Sequence, residues 1–153
     1  MSRTPFDQGC AFCQIARTGQ DLNGVQPVGF ERLRAGVMFE PRDPHVVGHR
    51  LFVPFTHVET AACRPAVTGQ VALLMAEYAQ ELEEEGLDCN LVFNCGPGAG
   101  QTILHLHGHV LPRQPGADGV LMPWDHTTGC QCLCTGVPPL TREQSDAVRG
   151  AST

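Results

Sequence analysis

Three histidines stand at alternate positions near the middle of the chain, in the stretch QTILHLHGHV. They are His105, His107 and His109, and the whole protein has seven histidines. On a β-strand, side chains at alternate positions share one face and lie about 7 Å apart, so the three imidazoles would project together. The apolar residues at the positions before, between and after them would then pack against the core: Leu104, Leu106 and Val110. Imidazoles grouped in this way serve a metal site or a catalytic centre, and the plain alternative is a solvent-facing strand that tolerates polar residues.

A glycine-rich loop, Gly96 to Gly100, comes directly before the histidines. Its glycines would let backbone amides approach a ligand closely. Polar side chains flank this loop, namely Asn94, Gln101 and Thr102. Such a loop is often only a turn, but amide donors beside imidazoles suit a phosphate group under nucleophilic attack.

The eight cysteines of the chain are unevenly spaced. Cys10 and Cys13 form a C-x-x-C pair, and in a reducing compartment paired thiols favour a metal ion over a disulfide. A second candidate metal site lies near the end of the chain and consists of His126, Cys130, Cys132 and Cys134. The cysteines that stand apart are interpreted as small buried apolar residues: Cys63, Cys89 and Cys95.

Length and charge limit the kinds of function that the chain can have. Its 153 residues are enough for one domain with a buried core. The net charge of −6 argues against a nucleic-acid groove, which needs clustered Lys and Arg. The first residues, MSRTPFDQGCAF, lack the apolar run of a signal peptide, and no stretch approaches membrane-spanning length. We therefore expect a cytoplasmic protein that binds neither nucleic acid nor membranes.

Hydrophobic spacing predicts an α+β domain with a mostly antiparallel sheet. Residues 37–39, 50–55 and 90–94 and the histidine stretch up to residue 113 are predicted strands. One long helix is predicted from Pro65 to Glu85, with apolar residues at helical spacing: Val67, Val71, Leu74, Met75, Tyr78 and Leu82. Residues 1–115 would form the domain core. Residues 116–153 would form an extension that packs on the same domain, with a short helix at 141–149.

Four blocks of the sequence resemble the histidine-triad (HIT) nucleotide hydrolases. The run from Ala99 to Arg113 is similar to the family pattern of three histidines separated by apolar residues and preceded by Gly-Gln-Ser/Thr. Residues 10–15 resemble its zinc-binding C-x-F-C start, and residues 48–58 resemble its G-H-x-L-V-x-P-x-x-H segment. Asn94 stands where the family has an asparagine. The resemblance implies a sheet of about five strands with one long helix on one side, and a homodimer.

The resemblance also assigns roles to individual residues. His107 matches the nucleophile that attacks the α-phosphate of a nucleotide, and water would resolve the nucleotidyl-histidine to a nucleoside monophosphate. His109 matches the histidine that contacts the phosphate and assists proton movement to the leaving group. His49 either orients the triad or is an ordinary core histidine. Substrate contacts are implied for Asn94, Gly100, Gln101 and Thr102, and the substrate would be a dinucleoside polyphosphate or a nucleoside phosphoramidate, with the first favoured.

A structural zinc ion is implied by the same resemblance, with Cys10, Cys13, His57 and His105 as its ligands. Two thiolates and two imidazoles make a closed tetrahedral set. Such a zinc ion would hold the catalytic strand in place and would not activate water. The alternative is an isolated thiol pair that binds no metal.

Two positions depart from the family pattern. Gly108 replaces an apolar residue between the second and third histidines, which predicts thinner packing behind that strand. Pro41 stands where many relatives have an acidic residue that holds the ribose. Glu40 and Asp43 are nearby in sequence, and the ribose contact is therefore unassigned.

Two other functions compete with hydrolysis. A non-catalytic, zinc-stabilised nucleotide-binding or interaction module would have no need of His107. A transferase of the galactose-phosphate uridylyl type usually has glutamine at the position of His109. The complete triad favours the hydrolase.

Overall fold

Five strands form one antiparallel sheet in a computed structural model that describes residues 6–114 and 117–120. The sheet order is β1-β2-β3-β5-β4, and the strands are β1 (Glu31–Arg32), β2 (Gly36–Phe39), β3 (Arg50–Pro54), β4 (Cys89–Phe93) and β5 (Gly108–Pro112). Two α-helices accompany them, α1 (Ala11–Thr18) and α2 (Pro65–Glu84), with a short 3-10 helix at Pro97–Ala99. The predicted α+β class is confirmed.

The long helix α2 forms where its apolar stripe predicts it. Pro65 lies in its first turn, where the missing N–H of proline costs no hydrogen bond. Gly86 follows its end with a φ of 77°, a left-handed conformation that favours glycine. The buried side chains are those of Val67, Val71, Leu74, Met75 and Leu82, and Tyr78 is half-buried.

The sheet separates two apolar clusters because its side chains alternate between faces. On the first face, called the α1 face, Leu51 and Val53 of β3 pack with α1. On the opposite face, called the α2 face, Phe52 packs with α2 in a second cluster, called the α2 cluster. Within the described residues the sequence predicted only α2, whereas α1 is a second, eight-residue helix that contains most of the C-x-F-C motif.

The histidine stretch is only partly a strand. β5 begins at Gly108, so only His109 of the three histidines lies in it, and the chain bends at residues 103–105. The alternation of faces nevertheless extends back to Leu106, which packs in the α2 cluster with Val110. The prediction that Leu104 packs against the core is wrong, since the bend leaves this side chain 48% exposed.

Packing behind β5 is dense, which corrects the expectation for Gly108. A Cβ atom placed on Gly108 would lie 2.1 Å from Met75 Sδ and 3.0 Å from Phe93 Cε1. The Met75 side chain of α2 therefore fills the space that an apolar side chain at position 108 would take.

Two of the three separate cysteines are not buried, contrary to the prediction. Cys63 lies in the turn before α2 and Cys95 follows β4, and both are exposed because neither position faces a cluster. Cys89 is half-buried and packs against the α2 cluster.

The extension from residue 116 onward falls outside the described residues except for 117–120. Its packing, the helix at 141–149 and the second metal site at His126, Cys130, Cys132 and Cys134 remain predictions. Neither α1 nor α2 combines the length and the apolar character that a bilayer-crossing helix needs.

Candidate functional site

Four potential metal ligands from three separate segments meet beside α1. They are Cys10, Cys13, His57 and His105, and their sulfur and nitrogen atoms all lie within 4.8 Å of one another. Cys10 caps the start of α1 and Cys13 lies one turn later, so a single helical turn brings both thiols to one side. His57 follows the end of β3 and His105 lies in the bend before β5. The fold thus brings together all four predicted zinc ligands.

The spacing of these atoms fits a tetrahedral metal ion. Cys13 Sγ lies 3.2 Å from His57 Nδ1 and 3.5 Å from His105 Nδ1, and Cys10 Sγ is also 3.5 Å from His105 Nδ1. Tetrahedral zinc, with bonds of about 2.3 Å to sulfur and about 2.0 Å to nitrogen, sets sulfur–nitrogen separations of about 3.5 Å.

Backbone groups prepare two of these ligands for a metal. His105 Nε2 lies 3.1 Å from the carbonyl oxygen of Pro54, to which it donates, and this leaves the Nδ1 lone pair for the metal. The amide of Asp7 donates to Cys13 Sγ at 3.4 Å. Burial raises the pKa of the Cys13 thiol to about 11, against the opposing effect of the Asp7 amide and with a further rise from Cys10. Metal binding must therefore displace a proton from this thiol.

His107 is buried and held in one tautomer. Its Nδ1 lies 2.7 Å from the carbonyl oxygen of His105, which can only accept a hydrogen bond, so Nδ1 carries the proton. The other ring nitrogen, Nε2, then has a free lone pair. Burial lowers the pKa of His107, and the bond to the His105 carbonyl opposes part of that shift. The ring is therefore a neutral imidazole near pH 7, the form that acts as a nucleophile.

A second set of hydrogen bonds fixes the tautomers of His49 and His109. The backbone N–H of His45 donates to His49 Nδ1 at 3.2 Å, so the proton of neutral His49 is on Nε2. His49 Nε2 lies 3.0 Å from His109 Nδ1 and donates to it, which puts the His109 proton on its own Nε2. Burial, before any neighbouring charge, lowers the pKa of His49 to about 4 and that of His109 to about 3. His109 Nε2 is a buried donor that finds no hydrogen-bond partner in the described part of the chain.

The glycine loop is braced by the side chain of Gln101. Its Oε1 accepts a hydrogen bond from the Gly96 amide at 2.8 Å, and its Nε2 donates to the carbonyls of Glu59 at 2.7 Å and Ile103 at 3.0 Å. Both amide hydrogens of Gln101 are thus engaged with backbone. Thr102 and Gly100 are exposed and Asn94 is half-buried. Contact of these four residues with a phosphate stays a prediction.

The two acidic residues near Pro41, Glu40 and Asp43, have different surroundings. The carboxylate of Glu40 forms an ion pair of 2.8 Å with Arg50, and Asp43 is exposed. The ribose contact is unassigned in the structure as in the sequence.

Sequence reasoning missed two residues of the site. The ring of Phe12, inside the C-x-F-C motif, meets His107 edge-to-face with centroids 5.0 Å apart. The ring of His45 stacks on His49 with centroids 5.3 Å apart and an interplanar angle of 19°. The four-residue spacing of the two histidines in the sequence is the signal that could have drawn attention to His45.

Known proteins share this arrangement of sequence and fold. The family model of the HIT domain matches residues 33–116. "Protein hit" of Bacillus subtilis (strain 168) is 33% identical over 122 residues, which cover 76% of this chain and 79% of that protein. The chain belongs to the HIT domain family. The predicted family is therefore confirmed.

Solved structures extend the likeness of this HIT protein to the fold. A Zn-bound histidine triad family protein from Mycobacterium smegmatis is 27% identical, with a TM-score of 0.59 over 71% of this chain and 78% of that chain. A HIT family hydrolase from Legionella pneumophila Philadelphia 1 is 28% identical, with a TM-score of 0.55 over 69% of this chain and 94% of that chain. One relative thus binds zinc and another is described as a hydrolase.

Proposed function

We propose that this HIT protein hydrolyses nucleotides through a covalent nucleotidyl-histidine on His107. The observation that carries the proposal is the hydrogen bond from His107 Nδ1 to the His105 carbonyl, because it leaves the lone pair on Nε2. Nε2 attacks the α-phosphorus, and the bond from phosphorus to the leaving group breaks as the nitrogen–phosphorus bond forms. Water then displaces the imidazole and releases a nucleoside monophosphate.

His109 and the glycine loop would hold the phosphate during this reaction. The unpartnered Nε2–H of His109 is a ready donor for a phosphate oxygen or the leaving group, and His49 orients His109 through its own hydrogen bond. Asn94, Gly100, Gln101 and Thr102 would supply the remaining contacts. The substrate is a dinucleoside polyphosphate or a nucleoside phosphoramidate.

We also propose that the Cys10, Cys13, His57 and His105 cluster holds a structural zinc ion. The donor set and its spacing suit zinc, and a related histidine triad family protein is Zn-bound. With four protein ligands no coordination position stays open, so this zinc would fix α1 and the His105 segment and take no part in the chemistry. We further propose that the protein is a homodimer and acts in the cytoplasm.

Replacement of His107 tests the reaction. Wild-type protein incubated with a dinucleoside polyphosphate and quenched in base should carry a nucleotidyl adduct by intact mass, since an imidazole–phosphorus bond is labile in acid. His107→Ala should form no adduct and lose at least about a thousandfold in turnover, because no other group replaces the nucleophile. Its melting temperature and metal content serve as controls for folding. If wild-type protein binds nucleotides but gives neither adduct nor turnover across a broad panel, the non-catalytic binding module is the correct function.

A further inference from the structure

Four imidazole rings form a continuous row from the proposed nucleophile to the protein surface. The ring centroids of His107 and His109 lie 5.0 Å apart, those of His109 and His49 5.2 Å, and those of His49 and His45 5.3 Å. The first three rings belong to the proposed mechanism. The fourth, His45, is exposed and has no role in it.

We propose that His45 is a positioning residue for nucleotidyl transfer, whose amide and ring together hold His49 as the tautomer that donates a hydrogen bond to His109. This inference rests on the proposed function for its effect on rate. Its effect on the state of His49 stands apart from catalysis.

The amide of His45 sets the tautomer. A backbone N–H only donates, so its 3.2 Å contact with His49 Nδ1 requires a lone pair on that nitrogen. Protonation of His49 at Nδ1 would set two hydrogens against each other and break this contact. The amide therefore keeps His49 neutral and directs its Nε2–H at His109.

The ring of His45 protects this arrangement from water. His49 is only 1% exposed although it belongs to the loop that leads into β3, and the nearly parallel ring of His45 covers it. The charged or titratable groups around His49 are His45 on its own loop, His109 on β5, Glu40 after β2 and the adjacent Arg50. Burial opposes a charge on His49 and lowers its pKa, as do the neighbouring His45 and Arg50, whereas Glu40 favours the charged form. Loss of the His45 ring would admit water, and the effect of burial on the pKa of His49 would then be weaker.

The tautomer of His49 affects phosphate binding through His109. While His49 donates from Nε2, His109 must accept at Nδ1 and present its proton on Nε2. If His49 were released from the His45 amide, its ring could turn or take a proton, and His109 would lose the contact that aims it. A small displacement of such a group is enough to slow catalysis markedly.

Two variants at position 45 separate the ring from the rest of the residue. His45→Ala removes the ring and keeps the amide, whereas His45→Phe restores a flat ring that does not titrate. Long-range proton–nitrogen NMR spectra report which nitrogen of His49 is protonated and how the ring titrates between about pH 4 and about pH 8, a range that includes the typical imidazole pKa of about 6.5. The rate of nucleotidyl adduct formation is measured on the same proteins.

In wild-type protein we expect His49 with its proton on Nε2 and a titration well below that of free imidazole. His45→Ala should shift the titration of His49 upward and slow adduct formation about tenfold with little change in KM. His45→Phe should restore both. A purely structural role would lower the rate without moving the titration.

Three results would overturn the proposal. They are a wild-type His49 protonated on Nδ1, an Ala variant with unchanged His49 titration, and a Phe variant as impaired as the Ala variant. If no protein forms an adduct, the proposed function fails, but the NMR measurements still decide whether His45 fixes the state of His49.

Discussion

His105 and His107 present opposite ring nitrogens, because a different backbone carbonyl fixes each of them. The Pro54 carbonyl takes the Nε2 proton of His105 and frees Nδ1 toward the thiols, whereas the His105 carbonyl takes the Nδ1 proton of His107 and frees Nε2. Two histidines that look alike in the sequence thus suit the two different roles proposed for them, metal ligand and nucleophile. The family pattern predicts these roles, but only the folded backbone shows why each ring keeps to one of them.

Gly108 leaves space that the Met75 side chain fills, and the energetic coupling between these two residues can be measured. Gly108→Ala should lower the free energy of unfolding by about 1–3 kcal/mol, because the new methyl group would overlap the buried Met75 side chain. In a Met75→Ala background the same change should cost much less, since the methyl group then enters the cavity left by methionine. Urea unfolding of the four proteins gives the coupling between the two sites.

Gly69→Ala is the matched control for Gly108→Ala. Gly69 lies on α2 with open space where its Cβ would be, so alanine there should stabilise the protein by a few tenths to about 1 kcal/mol. Equal costs of Gly108→Ala in the two Met75 backgrounds would show that Met75 does not fill the space at position 108.

At the scale of elements, the sequence predicts those helices and strands that are long enough to show a regular hydrophobic period. Helix α2 has twenty residues with a buried stripe, so its pattern stands out. Helix α1 has eight, two of its four buried residues are Cys13 and Ala16, and a helix this short is not stable by itself. The bend at residues 103–105 likewise escapes the pattern of alternation. Both features depend on contacts with distant residues, which a single sequence does not display.

Helix α1 should depend on the proposed zinc ion for its stability. Cys13→Ser should reduce zinc from about one ion per chain and speed hydrogen exchange of the α1 amides, because a short helix then loses its anchor. Exchange of the β2–β3 ladder should change little, since the sheet also packs against α2. Adduct formation should fall about tenfold, because Phe12 of α1 contacts the His107 ring.

Cys95→Ser provides the control for the zinc experiment, as this thiol is exposed and lies outside the cluster. It should leave zinc content and α1 exchange unchanged. Full zinc content in Cys13→Ser, or α1 exchange that does not respond to zinc loss, would contradict the structural role of the metal.

At the scale of the whole molecule, the sheet has two unequal edges. The edge strand β1 has only two residues, whereas the edge strand β4 has five, and within the described part of the chain β4 pairs on one side only, with β5. Leu91 on β4 is 45% exposed. An edge of this length invites pairing with another strand. A second copy related by a two-fold axis would pair β4 with β4 and join two five-stranded sheets.

Leu91→Glu should therefore convert a dimer into a monomer. Wild-type protein should have about twice the chain mass by light scattering at micromolar concentration, and the variant about one chain mass, because two glutamates would repel each other across the two-fold axis. Leu22→Glu is the matched control, since Leu22 is 59% exposed on the loop between α1 and β1, away from β4. A dimer that survives Leu91→Glu, or one that Leu22→Glu disrupts instead, would move the interface off the β4 edge. Because all four candidate zinc ligands come from one chain, we expect the monomeric variant to keep its zinc.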